Sequence, residues 1–402
     1  TGWWNLYRWD EARGEIEALH PMEAEFGEPQ WNFRMSTYGF EPAETLICAY
    51  SQSGTYHLAT LNTHSLEFHT FDLPFTTIWD VHLDRGKAYF IAGSSSMPAS
   101  LVMLDLASEQ FEILRRGREV KVDPAYLSLG QAIEFPTEAG LNAFGFYYPP
   151  KNRDFSGPGN ELPPLLVMSH GGPTGSTSTV LRYGIQYWTT RGIAVLDVDY
   201  GGSTGYGRAY RQRLKGQWGI VDVADCVNGA RYLVNQGLAD GSRLAITGGS
   251  AGGYVTLCAI TFHQVFQAAA CYYGISDLEA MAKETHKFES RYLDSLIGPY
   301  PDRQDLYIAR SPIHYVERIT CPLILLQGLD DPVVPANQSE MIYAALRKRG
   351  LPVALLTFPG EQHGFVRAEN NIRSLQAELY FYARIFKFEL AEDVEPVEIE
   401  NL

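Results

Sequence analysis

Two hydrophobic patterns divide this chain. Over residues 1 to about 118, apolar and polar positions alternate in short runs broken by turn residues, the period of strands with one solvated face. Leu46–Tyr50 and Thr55–Leu61 flank Ser-Gln-Ser-Gly, and Ile78–Leu83 and Lys87–Ala92 flank Asp-Arg-Gly, so each pair predicts a hairpin. A weak repeat runs through this part: Asn-Leu-Tyr-Arg-Trp-Asp10, His-Leu-Ala-Thr-Leu-Asn62 and Leu-Val-Met-Leu-Asp105 each precede a polar turn and another strand-like run. Their spacings of 52 and 43 residues are near what one four-stranded propeller blade requires. Only two to three blades fit, whereas closed propellers have about four to eight. The expectation is therefore a partial, N-terminally truncated β-propeller over residues 1–122, with Thr1 lying partway into a longer parent chain.

From about Ser128 the apolar runs stop alternating and helical stretches separate them, which signals a parallel sheet with crossover helices. Strands are predicted at Leu165–Met168, Ile193–Val198, Leu244–Thr247, Ala268–Tyr273, Leu323–Gln327 and Ala354–Phe358, with helices near 178–190, 220–236, 252–263, 337–349 and 370–388. Residues 152–160 read as a loop, and the acidic stretch after Phe388 as a solvated terminus. The pattern predicts a doubly wound α/β domain over residues 123–402, whose chemistry belongs at the carboxyl ends of its strands.

Composition narrows the function classes. The 402 residues suffice for two domains, and 45% hydrophobic content supplies their cores. A net charge of −15 leaves no basic stripe for nucleic acid and disfavours anionic membrane surfaces. Cysteines 48, 226, 258, 271 and 321 are odd in number, widely spaced and set in apolar runs, so they read as buried free thiols of a reducing, cytoplasmic compartment. There is no signal peptide and no run of eighteen apolar residues, but a chain opening at Thr1 without methionine leaves an upstream leader open.

The chemistry centres on Gly248-Gly-Ser250-Ala-Gly252-Gly253, which follows a predicted strand and opens a predicted helix. That is the layout of a nucleophile elbow, in which a strained turn lifts a serine hydroxyl out at the sheet edge and small neighbours avoid collision. Serine needs an adjacent base, and the base an orienting carboxylate. Both follow in the order this fold demands: Gly328-Leu-Asp330-Asp331 after one strand, and Glu361-Gln-His363-Gly364 after the next. Ser169-His170-Gly171-Gly172-Pro173, after the strand ending at Met168, supplies an oxyanion-hole loop, so the backbones of Gly172 and Ala251 are the expected donors. His170 itself reads as a structural loop residue, because the order places the base after the acid.

With these motifs, and with Asp199-Tyr-Gly-Gly-Ser-Thr-Gly-Tyr-Gly207 and Trp218-Gly-Ile-Val-Asp-Val-Ala-Asp225, the chain from about Gln131 to Phe386 resembles the prolyl oligopeptidase family. The resemblance is to the branch of acylaminoacyl-peptidases, dipeptidyl-peptidases and bacterial aminopeptidases. It implies an α/β-hydrolase domain preceded by a seven-bladed propeller that screens substrates by size, and peptide hydrolysis through an acyl-enzyme. The family's acid stands three residues after the glycine, which selects Asp331 over Asp330. Gln327 stands where many members carry histidine, a minor departure. The resemblance places Cys271–Asp277 in the region lining the S1 pocket, so Tyr272 and Tyr273 are candidate pocket residues, with packing in the core as their alternative role. No equivalent of the dipeptidyl members' amine-binding glutamates is evident.

The reading is a serine peptidase of short peptides, of aminopeptidase, acylaminoacyl- or dipeptidyl-peptidase type, with Ser250 as nucleophile, His363 as base and Asp331 as acid. It needs no metal or cofactor, takes an oligopeptide substrate and leaves homo-oligomerisation open. A carboxylesterase or lipase of the same fold is the alternative, and a binding module with an inactive hydrolase is the alternative of a different class.

Overall fold

The N-terminal part is antiparallel sheet throughout. The structure, a computed structural model, describes residues 1–41, 44–119 and 122–402. β1 (Tyr7–Asp10) and β2 (Glu15–Ala18) form a hairpin. β3 (Tyr38–Glu41), β4 (Thr45–Gln52), β5 (Thr55–Asn62) and β6 (Phe68–Thr70) form one four-stranded sheet in chain order, and β7 (Thr77–Asp84), β8 (Lys87–Ser94), β9 (Met97–Asp105) and β10 (Phe111–Arg116) form a second. These are propeller blades. Two full sheets and one hairpin stand where two to three blades were expected.

The sequence repeat has a physical origin. β1, β5 and β9 all end in the same turn. The side-chain oxygens of Asp10, Asn62 and Asp105 accept amides two or three residues on: Ala12 at 3.0 Å, His64 at 2.8 Å and Ser108 at 2.9 Å. The amides of Gly14, Leu66 and Glu109 close back on the carbonyls of the same three residues, each at positive φ. Asp and Asn stabilise such turns by this local bond. The repeat thus marks the third strand of each blade, and β1–β2 is the matching pair of outer strands.

Expecting one solvated face was wrong for the middle sheet. Along β4, Ile47 and Ala49 pack with Ile78, Phe90 and Val102 of the next sheet, while Leu46, Cys48 and Tyr50 pack with Leu6, Leu19 and Phe26. Strand side chains alternate between faces, so with both faces stacked β4 is apolar at each position from Leu46 to Tyr50.

The second part is one eight-stranded sheet in the order β11-β12-β14-β13-β15-β16-β17-β18. Its strands are β11 (Gln131–Pro136), β12 (Asn142–Tyr148), β13 (Leu165–Ser169), β14 (Ala194–Asp199), β15 (Leu244–Gly249), β16 (Ala268–Tyr272), β17 (Leu323–Gly328) and β18 (Val353–Phe358). The last six are the predicted strands and run parallel. β11 and β12 were not foreseen; they extend the sheet antiparallel. Helices Val221–Asn235, Ala251–Phe262 and Asn337–Lys348 cover one face, and Tyr183–Thr189 and Ala368–Phe386 the other. This is the α/β-hydrolase sheet. Short helices Leu278–Glu284, Tyr292–Leu296 and Gln304–Ala309 fill the long connection between β16 and β17.

A carboxylate joins the two parts. Buried Glu25 accepts the amides of Trp4 (2.7 Å) and Gly207 (3.2 Å) and pairs with Arg211, whose guanidinium lies 3.8 Å from the Trp4 ring centroid. The acidic tail is not a free solvated terminus. Glu400 pairs through its backbone with Val353 of β18 (2.9 and 3.1 Å), its side chain meets Arg347 at 3.0 Å, and Val397 is buried. The tail thereby covers an otherwise open sheet edge. All five cysteines are buried and unpaired, and no described helix is long and apolar enough to cross a membrane.

Candidate active site

Ser250 sits between β15 and the helix Ala251–Phe262 at φ 57°, ψ −120°, a conformation that L-residues adopt only under strain. Two bonds fix it: its amide donates to the Tyr272 carbonyl of β16 (3.0 Å), and its carbonyl accepts the Tyr254 amide (3.0 Å). The glycines are sterically required. A Cβ on Gly248 would stand 2.5 Å from the Gly252 backbone, one on Gly252 would overlap the Ser169 carbonyl oxygen, and one on Gly253 would stand 2.6 Å from Gly274.

The carboxyl ends of β17 and β18 bring the other two residues to this serine. His363 Nδ1 lies 2.8 Å from Asp331 Oδ2, and Nε2 lies 2.8 Å from Ser250 Oγ. The free carboxylate oxygen of Asp331 accepts the amides of Val333 (2.8 Å) and Val334 (2.9 Å), so the buried acid is fixed in orientation. Asp330 is exposed.

Two positioning residues carried no assigned role in the sequence reading. Gln327 is buried beneath the acid loop, where Nε2 donates to the Gly328 (3.0 Å) and Val334 (3.1 Å) carbonyls and Oε1 accepts the Ser339 hydroxyl (2.8 Å). Glu361 gathers the histidine loop by accepting the amides of Val366 (2.8 Å) and Arg367 (2.9 Å) and the Asn370 side chain (2.7 Å). Those bonds, led by the Val366 amide, hold its carboxyl below the usual range. Its place in the Glu361-Gln-His363 motif was the available signal.

The oxyanion-loop candidates face the same space. Gly172 and Ala251 line one small cavity with Ser250, and Gly172 adopts φ 125°, which a side chain would resist. His170 is a loop anchor: its ring stacks on Tyr200 at 4.2 Å, Nε2 meets the Ser203 hydroxyl at 2.7 Å, and burial lowers its pKa.

The cavity beside Ser250 is about 30 Å³ and is walled by Trp218, Ile275, Met281, Thr285, Tyr292, Leu293 and Val333, with Glu289 among its lining residues. Tyr272 and Tyr273 are not in that wall. The Tyr272 hydroxyl donates to buried Glu378 (2.6 Å), and the Tyr273 ring packs edge-on against His363 (4.9 Å) and borders a separate cavity of about 1080 Å³ with Met168, Arg182 and Phe365. Strand β16 ends at Tyr272, Tyr273 takes φ 37° and the chain turns there, so Ile275 rather than either tyrosine lines the cavity, whose wall is completed by segments distant in sequence.

Comparison with known proteins decides the family. A family model described as the prolyl oligopeptidase family matches residues 179–389, just over half the chain. The chain belongs to that family. Among solved structures of prolyl oligopeptidase-like fold, it superposes on a puromycin-hydrolysing peptidase of Mycobacterium tuberculosis with 44% identity and a TM-score of 0.95, over 99% of this chain and 61% of that one. A puromycin hydrolase gives 39% identity and 0.94, over 99% and 60%. The dipeptidyl aminopeptidase BIII of Pseudoxanthomonas mexicana is 33% identical over 214 residues, covering 52% of this chain and 31% of the relative. The chain thus spans about a third of that curated relative and about three fifths of the two solved structures.

Proposed function

We propose that this prolyl oligopeptidase family chain is a serine peptidase of short peptides and aminoacyl amides, working through Ser250, His363 and Asp331. The observation that carries the reading is the pair of 2.8 Å contacts by which His363 bridges Ser250 and Asp331. With Nδ1–H donating to Asp331, Nε2 accepts the Ser250 proton as Oγ attacks the scissile carbonyl carbon. The carbonyl π-pair moves to oxygen, which the Gly172 and Ala251 amides stabilise, each worth about 3 kcal/mol in the transition state. On collapse the C–N bond breaks, His363 returns the proton to the leaving amine, and Ser250 holds the acyl group. Water repeats the sequence to release the acid. The named relatives make dipeptidyl substrates and puromycin the first to try, with aminoacyl and acylaminoacyl substrates beside them. We also place the boundary between the propeller part (1–122) and the hydrolase (123–402) in the stretch between β10 and β11.

The test is covalent labelling of the 402-residue protein by an organophosphonate, followed by turnover of aminoacyl-anilides and simple acyl esters. Labelling at Ser250 that disappears in Ser250→Ala, with anilide cleavage, supports the reading. Turnover of esters alone points to the esterase alternative, and persistent labelling of Ser250→Ala removes the nucleophile assignment.

A further inference from the structure

Asp199 is a buried carboxylate that hydrolysis by the triad does not use. It closes β14, the strand beside the one that leads into the oxyanion loop, and opens the Asp199–Gly207 motif. Its Oδ1 accepts the Thr177 amide at 2.7 Å and its Oδ2 the Tyr206 hydroxyl at 2.8 Å. Arg182 pairs with Asp197 instead, and burial disfavours a proton on His170, 3.9 Å away. With both donors neutral, burial pushes the Asp199 carboxyl up to about 7. A buried acid without a cation is a poor choice for stability alone.

What Asp199 holds is the far end of the oxyanion loop. The near end is fixed at His170, whose carbonyl accepts the Tyr200 hydroxyl (2.9 Å). The middle is fixed by Thr204, which donates its amide to the Gly175 carbonyl (2.9 Å) and its hydroxyl to the Thr174 carbonyl (2.9 Å). At Thr177 both polar groups go to β14: the amide to Asp199, the hydroxyl to Asp197 on the same strand face. Beyond Thr177 the chain belongs to the propeller. Ser178 meets the Thr77 hydroxyl at 3.3 Å, the Thr179 hydroxyl donates to Thr76 (2.7 Å), and the Leu181 amide donates to the Ser94 carbonyl (2.8 Å). Thr177 is thus where the segment carrying Gly172 passes from one part to the other, and a pin there isolates Gly172 from shifts of the propeller.

We propose that Asp199 is a positioning residue for peptide cleavage, holding through Thr177 the loop whose Gly172 amide meets the oxyanion. This rests on the serine-peptidase reading above, and Asp199 itself touches no reacting atom. An oxyanion donor works only at about 2.7–3.1 Å from where the charged oxygen will stand, so a loop free at one end gives up transition-state stabilisation. It gives up little substrate binding, because the oxyanion does not exist in the ground state. A carboxylate suits the task, since its bond to an amide is shorter and stronger than a neutral acceptor's.

The test compares an aminoacyl ester with its thionoester, in which sulfur replaces the carbonyl oxygen. It uses the 402-residue protein, Asp199→Ala, Asp199→Asn and Tyr206→Phe. Sulfur accepts amide hydrogen bonds weakly, so the oxygen-to-sulfur ratio of kcat/KM reports the oxyanion donors, whereas loss of folded protein lowers both rates alike. The wild type is expected to prefer the oxygen ester strongly. Asp199→Ala should lose at least about ten-fold in kcat on that ester, with KM within about two-fold and a ratio falling toward unity. Asp199→Asn keeps an acceptor for the Thr177 amide and should regain most of the ratio. Tyr206→Phe, which loosens the same carboxylate, should shift the ratio the same way by less, and it carries the test if Asp199→Ala does not fold. A wild-type ratio near unity, an Asp199→Ala that loses both esters equally, or an Asp199→Asn no better than Asp199→Ala overturns this assignment. So does an unchanged ratio in Tyr206→Phe where Asp199→Ala does not fold. In each of these cases Ser250 labelling and anilide turnover by the wild type leave the peptidase reading standing. Absence of both in the wild type removes the two readings together.

Discussion

Gly252 and Ser169 approach so closely that no side chain fits between them: a Cβ on Gly252 would stand 2.1 Å from the Ser169 carbonyl oxygen, well inside contact distance. The contact locks the nucleophile helix to the strand that leads into the oxyanion loop. Since that oxygen belongs to a buried strand of the central sheet, neither side can yield cheaply. Gly252→Ala is expected to cost about 3 kcal/mol or more through overpacking and to lower Ser250 labelling, read by thermal melting and labelling rate. Wild-type values for both would discard the argument.

Asp331 differs from a surface acid because two amides fix one of its oxygens while His363 takes the other. Asp331→Asn keeps the shape but can no longer hold the Nδ1–H tautomer. A fall in kcat of about 10⁴ with an unchanged melting temperature is expected. A loss below ten-fold would mean that His363 is oriented by something else.

Gln327 satisfies two carbonyls and one hydroxyl under the acid loop. Gln327→Leu leaves all three unmade in a dry site, for a cost of about 2–4 kcal/mol. Denaturant unfolding should show the loss, with Ser339→Ala costing less because it removes only one of the three bonds. Equal costs for the two variants would contradict this account.

Glu378 is buried among hydroxyl donors, Tyr272 at 2.6 Å and Tyr382 at 2.7 Å, and desolvation pushes its carboxyl up to about 7. Its folded pKa lies above the usual 4.5, so between those values the native state keeps a proton that the unfolded chain has released. The stabilisation from this group is fully present below about 4.5 and is lost as pH rises through about 7. Glu378→Gln keeps the hydroxyl contacts without the titration. Its melting temperature relative to wild type should rise between about pH 5 and pH 8, and a flat difference would exclude Glu378 as the source.

Much of this was legible in the sequence because the features are local. Leu165–Ser169 and Leu323–Gly328 are continuous apolar runs because both faces of a central parallel strand are buried, and such runs need no knowledge of partners to be seen. β11 was missed because Gln131–Pro136 is largely exposed and pairs only at the edge, so its pattern carries little apolar signal. The tail after Phe388 looked solvated because the residues that pack it on the core, Leu390, Val394, Val397 and Ile399, stand singly among acidic ones, and its other contacts, Glu400 with Val353 and Arg347, are backbone pairing and a charge pair.

The sequence by itself determined the candidates for nucleophile, acid and base and the loop that faces them, because each lies at the end of a recognisable strand and chain order suggests the roles proposed for them. Only the tertiary structure decided what surrounds the serine. Trp218, Ile275, Thr285, Glu289 and Val333 come from three segments spread over more than a hundred residues of chain, and no period or spacing links them. Tyr272 and Tyr273 lie beside Ile275 in the chain yet outside that wall, because the direction a strand end turns is set by packing between layers.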